Sequence, residues 1–435
     1  MNVLVIGSGG REHAIALKIN QSKKLKSLYC IPGNPGTESF ALNFTIDVKN
    51  HERIINFCEE KKIDLVVIGP EQPLVDNLSE HLRSAGVKVF GPSSNAARIE
   101  SSKSFAKKIM IDASVPTAHY VEFSSSQLSE TIHYLETINY PTVIKADGLA
   151  AGKGVLISRN RSEAESAIRE IFEHKIFGDS GNKLIIEEFL EGEEASIFAI
   201  TDGEKFVCLP AAQDHKTIGN GDTGKNTGGM GAYAPAPIIT EVLLKEIEIK
   251  IIKPVLDQMV STENKFIGCL YAGLIITKSG PKVIEFNCRF GDPETQVVLP
   301  ILEGDFLELL YSAANGNLNL TAVKYSGGCS VCVVASSKGY PDNYNKGFVI
   351  NGLEKINDGV IVFHAGTKRE ENKILTNGGR VLGVTSVIKN FNLKLAKELA
   401  YQAIRKINFD GIYFRNDIAD KAIKHTNKTI HHTFL

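Results

Sequence analysis

Short apolar runs rich in β-branched residues alternate with stretches of helical period through the first hundred residues. NVLVIG (2–7) precedes a helical stretch from Arg11 to Ser22, and SLYCIPGN follows. A helix around 50–62, the run DLVVIG (64–69), a helix over 73–85 and VKVFG (87–91) complete the pattern. Strands alternating with helices in this way predict a parallel, doubly wound α/β sheet. Its strands end in GSGG, PGNPG, GPEQP and GPSSN, and the carboxyl ends of such strands form a ligand crevice.

The pattern then changes. SKSFAKKIMIDA reads as a helix, TVIKA (142–146) and VLIS (155–158) as strands around DGLAAGKG, 162–174 as a helix and LIIEEFL (184–190) as a strand. Next come EASIFAIT and KFVCLPAAQD, a glycine-rich loop DHKTIGNGDTGKNTGGMGAY, and a long amphipathic helix over about 240–260. Two strands, FIGCLYAGLIIT and PKVIEFNCR, lead to a helical 303–315. From about 327, GGCSVCVVAS, GVIVFHAGT, GGRVLGVTS and the helix LKLAKELAYQAIRKI read as a separate, small α+β unit. Four segments result: 1–100, 101–190, 191–325 and 326–435.

Composition narrows the class. The 435 residues are 43% hydrophobic and 23% charged, with a net charge of −1. That balance points to neither a nucleic-acid nor a membrane partner, and no apolar run approaches the roughly 20 residues of a membrane helix. Seven scattered cysteines fit a reducing cytoplasm. Cys329 and Cys332 form a CxxC inside an apolar strand-like run, which favours buried thiols over a metal site.

Several stretches carry chemistry. Glu285, Asn287 and Arg289 alternate along one strand, so they share a face. That face is either a wet edge or a site where oxygen ligands hold a hard cation and the arginine an anion. GSGGREHA fails the dinucleotide fingerprint, because Glu12 stands where the third glycine belongs and the second strand ends without an acid. Its glycines still suit a small phosphate, a tight structural turn or, least well, a nucleotide. DGLAAGKG is no P-loop: three residues separate Gly148 from Gly152, Gly154 replaces Ser/Thr, and strands flank both sides. It is a phosphate flap with Lys153 at its tip, or a plain hairpin. Asp214, His215 and Lys216 open the glycine-rich loop, with His215 read as a hydrogen-bonded loop residue. Lys103, Lys145 and Lys153, the Glu187–Glu188 hinge, and the oxygens of Glu285 and Asn287 together suggest a nucleoside triphosphate site without a P-loop.

In this order the blocks resemble the ATP-grasp ligases, and within them the phosphoribosylamine–glycine ligase family. Arg289-Phe290-Gly291-Asp292-Pro293-Glu294-Thr295-Gln296 looks like its signature, and GSGGREHA, GPEQPL, KADGLAAGKGV and QDHK…GDTGKNTGGMGAY look like family blocks. The resemblance implies a Rossmann-like N-terminal domain, a lid, a central ATP-grasp domain and a small α+β C-terminal domain. It implies ligation of glycine to 5-phosphoribosylamine with ATP and Mg²⁺ or Mn²⁺, in purine biosynthesis, by a monomer or weak homo-oligomer with only small-molecule partners. Arg289, Asp214 and Lys145 become candidate catalytic residues. Lys103, Lys145, Lys153, Glu187, Glu188, Leu190, Glu193 and Glu194 become the expected ATP contacts. Gly9, Gly10, Asn34, Gly36, Glu71, Asp214, Lys216, Asn226 and Arg289 are expected around the other substrates, and Glu285 and Asn287 at the metal. Two departures stand out: YAGLIIT (271–277) offers no second metal carboxylate, and YFRNDIA ends in Ala419 where glycine is expected. The rivals are another ATP-grasp carboxylate–amine ligase or a carboxylase, a non-catalytic nucleotide-binding regulator, and an NAD(P) enzyme, the last disfavoured by Glu12.

Overall fold

A computed structural model describes residues 1–150 and 154–433. The first five strands form one parallel sheet in the order Leu42–Asn43, Ser27–Pro32, Asn2–Gly7, Leu65–Ile68, Lys88–Phe90. Val3, Leu4, Val5 and Ile6 are fully buried, as expected of a strand covered on both faces. The helix expected over 73–85 is two, Glu71–Val75 and Leu78–Ser84. The break falls at Asn77, which takes left-handed backbone (φ 65°), a conformation asparagine tolerates better than most residues. The first of the two helices starts at Glu71, just after strand Leu65–Ile68, at the sheet's carboxyl edge.

A four-stranded antiparallel sheet follows in the order Tyr120–Ser124, Lys183–Glu188, Thr142–Ala146, Val155–Ser158. It has its own apolar core, built from Phe123, Ile144, Ile168, Ile171, Leu184 and Ile186 under the helix Arg161–Phe172. The first of these strands and the helix Ser94–Ser101 escape the sequence pattern. The helix Lys103–Asp112 is capped by Ser102, whose Oγ accepts from Phe105 N at 3.2 Å, while Asp147 Oδ1 accepts from Ser104 N at 2.6 Å. A carboxylate at a helix N-terminus is favoured by the orphan amides and the dipole there. The cap ties the helix to the end of strand Thr142–Ala146.

The central sheet is antiparallel, in the order Phe206–Cys208, Glu193–Thr201, Gly268–Thr277, Gly280–Asn287. The glycine-rich loop is not irregular throughout: Thr217–Gly219 and Thr223–Asn226 pair as a short hairpin arm. The C-terminal part, expected as a separate unit, shares its sheet. Its strand order is Gln213–Asp214, Gly231–Ala234, Cys329–Ser337, Arg380–Ile388, Val360–His364, so Gln213–Asp214 pairs with Gly231–Ala234, which in turn pairs with Cys329–Ser337. The two strands that bracket the arm thus belong to the C-terminal sheet. Cys329 and Cys332 are buried free thiols on that sheet. Among the described residues no helix is long and apolar enough to cross a membrane.

Candidate active site

The N-terminal sheet, the antiparallel sheet of 120–188 and the central sheet meet around the end of strand Gly280–Asn287. Glu285 pairs across from Gly273, and Asn287 across from Tyr271. A methyl on Gly273 would lie 3.1 Å from Glu285 Cγ, so the glycine makes room for that side chain where a second metal carboxylate was absent from the sequence. Glu285 is half-buried, and burial alone would raise its pKa. Lys216, Lys145, Lys103 and Arg289 outweigh that and hold it below the usual carboxylate range. Four cations from four parts of the chain therefore converge on one acid.

Lys145 Nζ lies 2.8 Å from Glu187 Oε2 and donates to Ile284 O at 3.1 Å. Lys107 Nζ lies 3.1 Å from the other Glu187 oxygen, off the hydrogen-bond direction, and donates to Thr117 Oγ1 at 2.7 Å. Burial lowers the pKa of Lys103 and of Lys107, with Glu285 and Glu187 respectively opposing it. Lys107 escaped the sequence reading, although it stands four residues after Lys103 on one helix face. Lys103 donates to Gly148 O at 3.2 Å. Lys153 lies outside the described residues.

Arg289 is held by two acids. Its Nε lies 3.0 Å from Glu71 Oε2 and its Nη2 2.8 Å from Glu100 Oε1, while Nη2 also donates to Asn287 Oδ1 at 3.4 Å. Arg289 makes no ion pair with the acids of its own turn, Asp292 and Glu294. Asp292 pairs instead with Arg380 at 3.1 Å, and Glu294 accepts from Tyr271 Oη at 2.9 Å and Ser196 Oγ at 3.2 Å. Burial would raise Glu71, yet Arg289 and Arg11 hold it down to about 2. Burial wins at Glu100 and pushes its carboxyl up.

Asp214 and Lys216 complete the cleft. Burial pushes the Asp214 carboxyl up against the pull of Lys216, with Glu294 and Glu194 adding to the rise. Lys216 Nζ lies 2.7 Å from Glu194 Oε2. Glu188 is exposed, accepts from His119 N at 3.0 Å and faces Lys282 at 3.3 Å. Leu190 is half-buried, Glu193 exposed, and Asn226 exposed on the arm.

The N-terminal loops meet the same turn from the other side. Gly10 packs against the Gln296 amide, and Gln296 Nε2 donates to Asp292 Oδ1 at 2.6 Å. Gly9 N donates to Glu12 Oε2 at 2.7 Å. The Glu12 side chain fills the space between Gly7 and Gly69, where a methyl on either would collide with it. A dinucleotide pyrophosphate needs that space and that amide, so the odd residue of GSGGREHA closes the nucleotide route that the glycines seem to open. Asn34 Nδ2 donates to Ser8 O and His364 O, both at 2.9 Å, and its Oδ1 accepts from Gly36 N at 2.9 Å. Gly36 lies against the His13 ring.

Three family models of phosphoribosylglycinamide synthetase match this chain: the N domain over residues 1–100, the ATP-grasp (A) domain over 101–295 and the C domain over 330–421. The chain belongs to the phosphoribosylglycinamide synthetase family. It is 47% identical to a phosphoribosylamine–glycine ligase of Caldanaerobacter subterraneus over 96% of this chain and 99% of that one. A solved phosphoribosylamine–glycine ligase from Thermotoga maritima superposes with a TM-score of 0.83 at 31% identity, covering 96% of this chain and all of that one. Biotin carboxylase from Campylobacter jejuni gives 0.71 at 16% identity over 95% and 92%, a likeness of fold alone. The fold is accordingly α/β and α+β, with a parallel N-terminal sheet and an ATP-grasp centre, and membership of an ATP-grasp family carries ATP use with it.

Proposed function

We infer that this chain is a ligase of purine biosynthesis that joins glycine to 5-phosphoribosylamine, giving glycinamide ribonucleotide, ADP and phosphate. The observation that carries the reading is the convergence of Lys103, Lys145, Lys216 and Arg289 on Glu285 in a member of this family. Two anions, glycine's carboxylate and the γ-phosphate, must meet, so the site has to supply positive charge in fixed positions.

A carboxylate oxygen of glycine attacks the γ-phosphorus as the bond to the β,γ-bridging oxygen breaks, leaving ADP and a glycyl phosphate. The amine nitrogen of phosphoribosylamine then attacks the acyl carbon. Phosphate leaves with the former glycine oxygen, and the nitrogen gives up a proton. Lys103 and Lys145 hold the triphosphate, with Lys153 expected over it. Lys145 and Lys107 are in turn fixed by Glu187. Glu188 and Leu190 flank the adenine, and Glu193 and Glu194 the ribose. Arg289 orients the carboxylate or the transferring phosphate. Asp214, with its pKa raised, is a fitting acceptor for the amine's proton. The acceptor's ribose phosphate lies over the strand ends at Gly9, Gly10, Asn34 and Gly36, with Glu71, Lys216 and Asn226 toward the ribose and amine. Glu12 already holds the Gly9 amide and Asn34 Oδ1 the Gly36 amide, so the phosphate would have to displace one of them or rest on Gly10.

Glu285 and Asn287 offer one carboxylate and one amide oxygen on one face. That donor set fits Mg²⁺ or Mn²⁺ only when phosphate or water oxygens complete it, in keeping with the cations crowding Glu285. A bound metal would neutralise phosphate charge there. Glu285→Gln should raise the Mg²⁺ concentration needed for half-maximal rate, whereas an unchanged Mg²⁺ titration would remove Glu285 from the metal.

The chain acts as a monomer or weak oligomer in the cytoplasm, where its thiols stay reduced. The test of function is phosphate release from ATP by the purified protein, expected only when glycine and phosphoribosylamine are both present. Release that ignores either substrate overturns the reading.

A further inference from the structure

The glycine-rich arm is fastened from the far end of the chain. Arg415 follows the short strand Ile412–Tyr413 and is the largest fully buried side chain among the described residues. Its Nε donates to Asp417 Oδ1 at 2.8 Å and its Nη2 to Asp417 Oδ2 at 2.7 Å, a two-pronged pairing. Nη2 also donates to Asp222 Oδ1 at 3.0 Å, and Nη1 to Thr217 O at 3.0 Å and Thr217 Oγ1 at 3.1 Å. Every N–H of the guanidinium has a partner, and the partners on the arm are its root, Thr217, and its turn, Asp222.

Neighbouring residues add to the same fastening. Asp417 Oδ2 accepts from Gly221 N at 2.7 Å, Asn220 Oδ1 accepts from Asn416 N at 2.9 Å, and Tyr413 Oη donates to Ile218 O at 2.9 Å. The residue just inside the arm does no such work. His215 is buried with neither ring nitrogen hydrogen-bonded, its ring packed edgewise on Tyr233. The polar anchorage of the arm's root is thus shared: Thr227 N and Oγ1 donate to Lys216 O at 2.7 and 2.8 Å from within the arm, and Arg415 grips Thr217 from outside it, one residue from Lys216 and three from Asp214.

We propose that Arg415 is a positioning residue for the amine-transfer half of the reaction: by gripping Thr217 and Asp222 it fixes where Lys216 and Asp214 present their charges to the acceptor. It touches no reacting atom itself. The proposal rests on the function inferred above and deepens it, since it assigns the C-terminal segment a part in acceptor binding that ATP binding does not share. Lys145, Lys103 and Glu187 stand on other elements and owe nothing to the latch.

The test uses Asp222→Asn, on the partly exposed side of the latch, with Arg415→Lys as a second variant that keeps the charge and loses the fork. Amide hydrogen exchange over 217–226 should quicken in both. The KM for phosphoribosylamine should rise about tenfold, the scale expected when a contacting group is displaced by a fraction of an ångström. The KM for ATP and the melting temperature of Asp222→Asn should hold, and Asp222→Glu should restore the acceptor KM. Faster exchange with an unchanged acceptor KM overturns the proposal, as does an equal rise in both KM values, or no change in exchange. Exchange needs no turnover, so it reads the latch separately. Loss of the inferred function would show instead in the wild type, as turnover indifferent to phosphoribosylamine.

Discussion

Two charged junctions flank Glu285 with opposite balance. On one side Lys107 and Lys145 share the single carboxylate of Glu187, and Lys103 lies beside them. On the other a single guanidinium, Arg289, lies between Glu71 and Glu100. An excess of buried cations is costly unless an anion joins them, so the lysine side is built for a polyanion. The arginine side has two acids for one base. It admits an anion only by releasing a carboxylate, and Glu71, at 32% exposure against 7% for Glu100, is the one that can swing out to water. On the function proposed above, the lysine side would take the triphosphate directly, and the arginine side would exchange a carboxylate for a substrate anion.

Breaking the lysine side should have the largest effect. Glu187→Gln leaves two nearly buried lysines without their shared counter-charge and should cost about 3 kcal/mol of stability in denaturant unfolding. A loss within error would mean that the lysines are neutralised elsewhere. Breaking the other side is next. Arg289→Lys keeps a charge but cannot reach both acids and a substrate anion, so turnover should fall roughly 10²-fold. Because Glu100 loses a bond, stability should also drop by about 1 kcal/mol. Full turnover with a large stability loss would make Arg289 purely structural.

The pH dependence sharpens the comparison at the seam between the N-terminal loops and the C-terminal sheet. Burial holds His13 down to about 3, with His364 adding to it, and holds His364 down to about 4, with Arg369 adding to it. The unfolded chain takes up protons on both near pH 6.5, so between about 4 and 6.5 it binds more protons than the folded state. The stability they confer is complete above about pH 6.5 and is lost as the pH falls toward 4. Asp214 and Glu100, whose carboxyls are pushed up, work in the opposite sense, so the readout is a difference. The melting-temperature gap between wild type and His364→Gln should narrow from about pH 7 to about pH 5. A constant gap contradicts the buried neutral histidine.

The smallest effect belongs to Ala419. It takes left-handed backbone (φ 70°) and is fully buried. Ala419→Gly relieves about 1 kcal/mol of backbone strain but gives up a buried methyl of about 0.8 kcal/mol, so unfolding should shift by less than about 0.5 kcal/mol. A loss above about 1 kcal/mol would mean that packing outweighs the backbone there.

Glycine at position 419 is an expectation of the family resemblance, and the backbone at that position takes positive φ with alanine in its place. A legible signal is a local one: alternation placed Glu285 and Asn287 toward one cleft because a strand's period belongs to its own residues. Glu12 spoke through its failure to be glycine, and the structure fills the nucleotide's space with its side chain. Glu100, Lys107 and Arg415 were not legible, because their meaning lies in partners 189, 80 and 198 residues away. A lysine on a helix looks solvated until the fold buries it against Glu187. The arm's hairpin was hidden because glycine-rich strands carry almost no apolar period, and part of what holds it is Arg415, far off in the sequence.

The central claim is that the two junctions meet on a glycyl phosphate. Glycine carrying heavy oxygen in its carboxylate, supplied with ATP and phosphoribosylamine, tests it directly. The account predicts that the phosphate released in a single turnover contains one heavy oxygen drawn from glycine, and that the other remains in the amide of the product. Phosphate free of heavy oxygen, with the oxygen displaced from glycine found instead in AMP or in water, would contradict it.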